Sequence, residues 1–250
     1  MYEEERKISI LNKIQTERNV AVSKLAKQFG VSESTIRRDL SSLETSGFIK
    51  RTHGGAILQG EANKTYFYNQ KRYLNTEDKK EIAQTAASIV KPNSTIFLGT
   101  STSTYFMAQY LTAKNLTIAT NSLDVLNILS QHTGYNLIVL GGNYIRSART
   151  IEGFTGIEQI SHLHFQQAFL GANGVDLSFG LSTSSDIEAK SKLSVTLNSS
   201  EVYYLCETSK FNQISSHKIS DFESVTGIIT NKSISPAVFK KYESVCKIIY

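Results

Sequence analysis

Residues 20–55 constrain this chain most. They hold two short helices parted by a glycine, then a basic hairpin. Leu25 and Phe29 stand four apart and give the first helix one apolar face. Gly30 is placed to stop it, as glycine does just past a helix C-terminus. Ser32 is placed to cap the next helix through its hydroxyl. Ile36, Leu40 and Leu43 then follow at i, i+4, i+7 and predict an inward stripe. That leaves Glu33, Ser34, Thr35, Arg37, Arg38 and Asp39 mostly on the outer face. Gly47 is expected to end this helix, Phe48 to His53 to form a short strand, and Gly54 and Gly55 a turn. A helix-turn-helix presents the N-terminal part of its second helix to the major groove. Arginine offers a planar fork for guanine edges or phosphates. The expected DNA-contacting residues are therefore Ser34, Thr35, Arg37 and Arg38 on the helix and Lys50, Arg51 and His53 on the wing. Double-stranded operator DNA is the expected partner.

Upstream, residues 3–17 predict a helix with Ile8, Leu11 and Ile14 inward and Ile10 at the margin. Glu3, Glu4 and Glu5 suit the positive end of its dipole. The winged unit is expected to occupy residues 1–58. Residues 59–75 lack a clean period and carry Tyr66, Phe67, Tyr68 and Tyr73. They are expected to form a linker whose aromatics pack rather than stack on single strands.

At 250 residues there is room for a second, larger domain. No apolar run approaches the roughly 18 residues that span a bilayer. The start, MYEEERK, is too acidic for a signal peptide. A cytoplasmic protein away from membranes is expected. The net charge of +5 is mild, with ten Lys/Arg against seven Asp/Glu in residues 1–57. It permits nucleic-acid binding and leaves the proof to local placement. Cys206 and Cys246 sit in apolar runs and are expected to be small core residues.

From residue 76 to 250 helical stretches alternate with short β-branched runs, the pattern of βαβ units around a mainly parallel sheet. Strands are expected at 95–98, 116–120, 136–140, 167–170, 202–206, 225–230 and 245–249. Helices are expected at 77–90, from about 103, and at 123–131, 156–163, 186–198 and 237–242. Ligands of such sheets bind outside the carboxyl ends of the strands. The loops there are rich in Gly, Ser, Thr and Asn: residues 99–104, 121–122, 141–143, 171–176, 180–183 and 207–210. Small residues let backbone N–H groups approach an anion, and a helix start after Gly99 adds its dipole. Lys210 supplies a point charge. Together these predict a pocket for a phosphorylated, hydroxylated ligand.

The whole pattern resembles the DeoR family of bacterial regulators. Ser34 to Leu40 reads S-T-I-R-R-D-L, like the family's helix signature; Arg6, Ile10 and Ile14 precede it as in the family, and His53, Gly54, Gly55 and Ala56 close the wing alike. Glu77, Lys79, Ile82 and Ala83, then Gly141 and Gly142, Gly171, Ala172, Gly174 and Asp176, Glu188, Lys192 and Lys210 fall on its effector-domain motifs. The resemblance implies an α/β fold: a winged helix-turn-helix joined to a Rossmann-like domain of sugar-phosphate-isomerase type. It implies a repressor of a sugar operon, a phosphorylated sugar as effector, and a dimer or tetramer. The effector-binding residues expected are Lys79, Thr100, Ser101, Thr102, Ser103, Thr104, Asn121, Gly141, Gly142, Arg146, Asn173, Asp176, Glu188 and Lys210. The chain departs from the family at Gly99, Asn173 and Glu207, where the family has Asp.

No cofactor is expected. His162 and His164 form the only close histidine pair and lack a third ligand at metal spacing, so no metal site is expected. The rival readings are a sugar-phosphate isomerase, with Glu188 or Glu207 as its base, and a DNA-binding scaffold with a dead sensor. An isomerase has no use for a winged head.

Overall fold

The computed structural model describes residues 3–45, 49–58, 72 and 74–250. The chain divides into two compact units, 1–76 and 77–250.

In the first unit α1 spans Glu3–Glu17, β1 Asn19–Ala21, α2 Val22–Phe29, α3 Glu33–Thr45, β2 Ile49–Thr52 and β3 Gly55–Leu58. Gly30 ends α2 in the left-handed conformation, φ 64°, and donates its N–H to the Ala26 carbonyl. Ser32 Oγ accepts from the Thr35 N–H at 3.2 Å and caps α3. Ile36, Leu40 and Leu43 are buried together with Leu25. Ile10 is fully buried rather than marginal, because α1 presents Ile10, Leu11 and Ile14 as one face. The Ile8 side chain, Gly47, Phe48 and the linker aromatics lie outside the described residues.

Two expectations are corrected. The wing turns at His53 and Gly54, and Gly55 already belongs to β3. β1 pairs with β3 so closely that a Cβ on Gly55 would sit 1.8 Å from the Val20 carbonyl oxygen, so only glycine fits there. Asp39 is not on the outer face. It is completely buried and takes Arg6 in a bidentate pair, Nε–Oδ2 2.6 Å and Nη2–Oδ1 3.2 Å. The pair ties α1 to α3 through the core.

In the second unit α4 spans Thr76–Ser88, β4 Thr95–Leu98, α5 Thr102–Tyr110, β5 Leu116–Thr120, α6 Leu123–Leu129 and β6 Tyr135–Val139. A hairpin of β7 Asn143–Ile145 and β8 Thr150–Glu152 follows, then α7 Phe154–Ser161 and β9 Phe165–Leu170. β10 Gly174–Asp176, β11 Gly180–Thr183, α8 Asp186–Leu197, β12 Ser199–Leu205, β13 His217–Ser220, β14 Gly227–Ile229, α9 Pro236–Tyr242 and β15 Ile248–Ile249 complete it. Seven strands form one sheet in the order β15-β14-β12-β9-β4-β5-β6, every neighbouring pair parallel. The central strands β4, β5 and β9 are largely buried on both faces, while the edge strands β6 and β15 are partly exposed. Ile96, Leu98, Ile118 and Phe169 face a layer made by α4, α5 and α6; Phe97, Ala119, Ala168 and Leu170 face α7, α8 and α9. Alternate side chains of one strand must point to opposite faces, so both layers are needed to exclude water.

The hairpin β7–β8 and the small antiparallel sheet β10-β11-β13 were not expected. The loops expected at 171–176 and 180–183 are partly these strands. Several ends also shift, with the 225–230 and 245–249 runs reduced to β14 and β15.

Removing one partner of a buried ion pair leaves an uncompensated charge, a loss of about 3–5 kcal/mol. Asp39→Ala is therefore expected to cut the stability of the first unit by that order, and Arg6→Met/Asp39→Leu to recover most of it. Urea denaturation followed by circular dichroism checks both. A single variant as stable as wild type would remove the pair from the argument.

Candidate functional site

The order of the parallel sheet reverses at β4. From β4 the chain runs outward through β5 to β6, then returns to place β9 on the other side of β4. The crevice between the carboxyl ends of β4 and β9 is the switch point of the fold, where α/β sheets bind ligands. A cleft of about 260 Å³, its open mouth included, lies there, lined by Phe97, Gly99, Thr100, Asn121, Glu152, Leu170, Glu188, Ser191, Lys192 and Val195.

The loop after β4 is built tightly. Ser101 caps α5 in a capping box: its Oγ accepts from the Thr104 N–H at 3.0 Å, and Thr104 Oγ1 takes the Ser101 N–H at 3.0 Å. Thr104 Oγ1 also donates to the Gly99 carbonyl at 2.6 Å. The side chains of Ser101 and Thr104 therefore serve the helix start, and Thr102 and Ser103 are buried in its first turn. Thr100 faces the cleft. Its hydroxyl lies 3.1 Å from Asn121 Oδ1 and 2.8 Å from Thr150 Oγ1. Gly171, at the end of β9, has no room for a side chain, since a Cβ would lie 2.5 Å from Ser101 Cβ. The two loops meet because that position is glycine.

The far wall is α8. Lys192 donates to Glu188 Oε1 at 2.6 Å and to the Gly171 carbonyl at 2.7 Å. Glu188 Oε2 accepts from Thr183 Oγ1 at 2.6 Å. Glu152 enters from β8. Burial and the neighbouring Glu188 carboxylate push its pKa up to about 7, and Lys192 offsets part of that rise.

Of the effector residues expected from sequence, the structure brings Thr100, Asn121 and Glu188 to the cleft wall. The others stand elsewhere. Lys79 is buried against Glu207 at 3.2 Å, and burial lowers its pKa. Lys210 follows Glu207 on the same edge, near enough to Lys79 to depress that pKa further. The Gly141 N–H donates to Gln159 Oε1 at 2.7 Å, and Gly142 lies against the Glu152 carbonyl. Arg146 is exposed in the β7–β8 hairpin. Asn173 Nδ2 donates to Ser184 Oγ at 3.2 Å. Asp176 Oδ1 accepts from the Ser178 and Phe179 N–H groups and shapes the turn between β10 and β11. Sequence reading missed Glu152 and Ser191, and had Lys192 only as a motif match. Glu152 follows none of the main strands, so only the unforeseen hairpin could have revealed it. Cys206 is a buried free thiol whose pKa burial raises to about 12.

In the first unit Ser34, Arg37 and Arg38 are exposed at the start of α3 and Thr35 is half-buried. Lys50, Arg51 and His53 are exposed on the wing. Arg37 Nη2 lies 3.0 Å from Glu33 Oε2, an exposed pair. The Arg51 N–H donates to Glu44 Oε1 at 2.8 Å and pins the wing to the end of α3. Exposed cations thus occupy both the helix start and the hairpin beside it.

These two units define a class, a winged helix-turn-helix DNA-binding regulator with an appended parallel α/β domain. The DeoR-like helix-turn-helix domain matches residues 6–61 and the DeoR C terminal sensor domain residues 74–232. The HTH-type transcriptional regulator GolR of Listeria innocua is 32% identical over 97% of this chain and 96% of its own. The lactose phosphotransferase system repressor of Lactococcus lactis is 29% identical over 99% of both chains. A ribose 5-phosphate isomerase from Plasmodium falciparum overlaps 53% of this chain and 52% of its own at 18% identity and a TM-score of 0.39. The chain belongs to the DeoR family of transcriptional regulators. It is a DNA-binding regulator and not an isomerase, and as a member of that family it works in the cytoplasm. Among the described residues no helix is long and apolar enough to cross a membrane.

The raised pKa of Glu152 has a consequence for stability. Folded, this carboxyl holds its proton to about pH 7; unfolded, it loses it near 4.5. The folded state binds more protons between these values, so stability falls as pH rises from 4.5 to 7 and the loss is complete above 7. The whole shift corresponds to ~3 kcal/mol at most, and partial solvent access reduces it to about 1–2. Glu152→Gln is expected to be more stable than wild type by that amount at pH 8 and level with it at pH 5. Urea midpoints at the two pH values decide it, and equal differences at both would contradict the assignment.

Proposed function

We propose that the protein represses a sugar-metabolism operon and that a phosphorylated sugar, bound at the switch point, controls its hold on the operator. The polar cleft at the strand ends carries this reading. Its wall carries Thr100 and Asn121, with Thr150 held by the Thr100 hydroxyl, and Lys192. Lys79 is committed to Glu207 and Lys192 to Glu188. Lys210 makes no ion pair among the described residues. It is the cation best placed to meet a phosphate, alongside the amides that open α5. The names of the relatives, one a lactose phosphotransferase system repressor, support the sugar class.

On the DNA side, Arg37 and Arg38 with Ser34 and Thr35 read the major groove, and Lys50, Arg51 and His53 contact the backbone. The Arg37–Glu33 pair does not stand in the way, because exposed pairs are worth about 0.2–1 kcal/mol. One winged module reads few base pairs, so a dimer or tetramer facing repeated half-sites is part of the proposal. Residues 1–58, 59–75 and 76–250 then act as head, linker and effector domain.

Two experiments test the two halves. Arg38→Ala is expected to weaken operator binding by ~1–3 kcal/mol and to flatten discrimination at one base pair. Uniform weakening of all sequences would make it a phosphate contact, and unchanged affinity of Arg37→Ala/Arg38→Ala in fluorescence anisotropy would end the recognition-helix reading. Lys210→Ala is expected to raise the sugar phosphate concentration that releases DNA, by a contact of ~1.5–3 kcal/mol, with ligand-free operator affinity unchanged. A wild-type response in that variant moves the phosphate elsewhere. Lost DNA binding without ligand makes Lys210 structural.

A further inference from the structure

Three ionisable side chains line the cleft: Glu152, Glu188 and Lys192. They are not balanced. Lys192 is held by Glu188 at 2.6 Å and by the Gly171 carbonyl at 2.7 Å, and the other Glu188 oxygen is held by Thr183. The Glu152 carboxyl, half-buried, makes no hydrogen bond or ion pair among the described residues. Two carboxylates thus share one committed ammonium, which leaves one formal negative charge in a partly desolvated cleft. Its neighbours already show the imbalance, since Glu188 and burial together hold Glu152 toward its neutral form.

A ligand hydroxyl donates a hydrogen bond here and leaves the net charge as it was. A ligand ammonium donates and also cancels it. A hydroxyl on the carboxylate is already a charge-assisted bond; the ammonium adds a coulombic attraction, which grows where water is excluded. We propose that Glu152 selects the effector: its carboxylate receives a protonated amino group, so the cleft favours an amino sugar phosphate over the matching neutral sugar phosphate. This rests on the sugar-phosphate reading of the same cleft. Glu152 is the natural place for such selection, because Glu188 and Lys192 neutralise each other and Thr100 and Asn121 present uncharged groups. The arrangement gives the ligand a dipolar requirement: an anion for the phosphate end proposed at Lys210 and a cation for Glu152.

The full-length protein is titrated calorimetrically at pH 7.5 with glucosamine 6-phosphate against glucose 6-phosphate, and galactosamine 6-phosphate against galactose 6-phosphate. In at least one pair the amine is expected to bind tenfold or more tightly. In Glu152→Gln that ratio is expected to fall to near one. A wild-type ratio near one in both pairs, or a ratio that survives in Glu152→Gln, overturns the inference. So does a folded Glu152→Gln that binds neither compound, since Glu152 would then shape the cleft rather than choose its ligand. A Glu152→Gln chain that does not fold passes the test to Glu152→Ser, whose ratio must likewise fall to near one. Wild-type binding of the neutral compounds without amine preference defeats this inference alone. Binding of none of the four counts against the sugar-phosphate reading, and the inference falls with it.

Discussion

A parallel sheet buried on both faces leaves chemistry nowhere to go but its ends. The seven strands here have helices on each side, and their alternate side chains are spent on two apolar layers. Only the loops at the carboxyl ends are free to carry polar groups. Even there most positions are occupied by the construction of the fold: Ser101 and Thr104 cap α5, Gly171 makes room for Ser101, and Gln159 holds the Gly141 amide. What remains for a ligand is narrow, and it falls at β4, where strand order reverses.

Charge burial follows one rule in both units. Arg6 with Asp39, Lys79 with Glu207 and Lys192 with Glu188 are pairs in which each buried ion meets an opposite one. An isolated buried charge would change its protonation state instead. Glu152 does that: burial and the Glu188 carboxylate push its pKa up to about 7. Lys210 is the opposite remainder, a cation beside a pair already closed. The pairs hold the structure, and among the described residues Glu152 and Lys210 stand beside them without an ion-pair partner.

Much of this was legible in the residues. Gly30, Ser32 and the Ile36, Leu40, Leu43 stripe specify the helix-turn-helix by periodicity and capping alone, and local rules suffice because the contacts are local. The alternation of β-branched runs with helices gave the parallel class for the same reason. The errors lie where a distant partner overrides a local preference. Asp39 reads as a surface residue until Arg6, thirty-three positions away, closes on it in the core. β1 has three residues and exists only because β3 offers it an edge. The hairpin that carries Glu152 into the cleft has strands of three residues each, below what alternation can signal. The polar loops looked alike in sequence, and only strand order separates those at the switch point from those that form turns.

The two units also place a limit on how a ligand can act. The cleft belongs wholly to residues from 97 onward, and the exposed cations of the head to residues before 54. Each unit has its own closed apolar core. In the proposed function a ligand changes DNA affinity only by binding one arrangement of the protein more tightly than another. A hundredfold difference in affinity supplies only ~3 kcal/mol for that shift. The resting balance between arrangements must lie within that range, or the ligand would have no effect. Discrimination between similar ligands is then worth as much as raw affinity, and the charge selection proposed for Glu152, which has no ion-pair partner among the described residues, would supply what hydroxyls alone cannot.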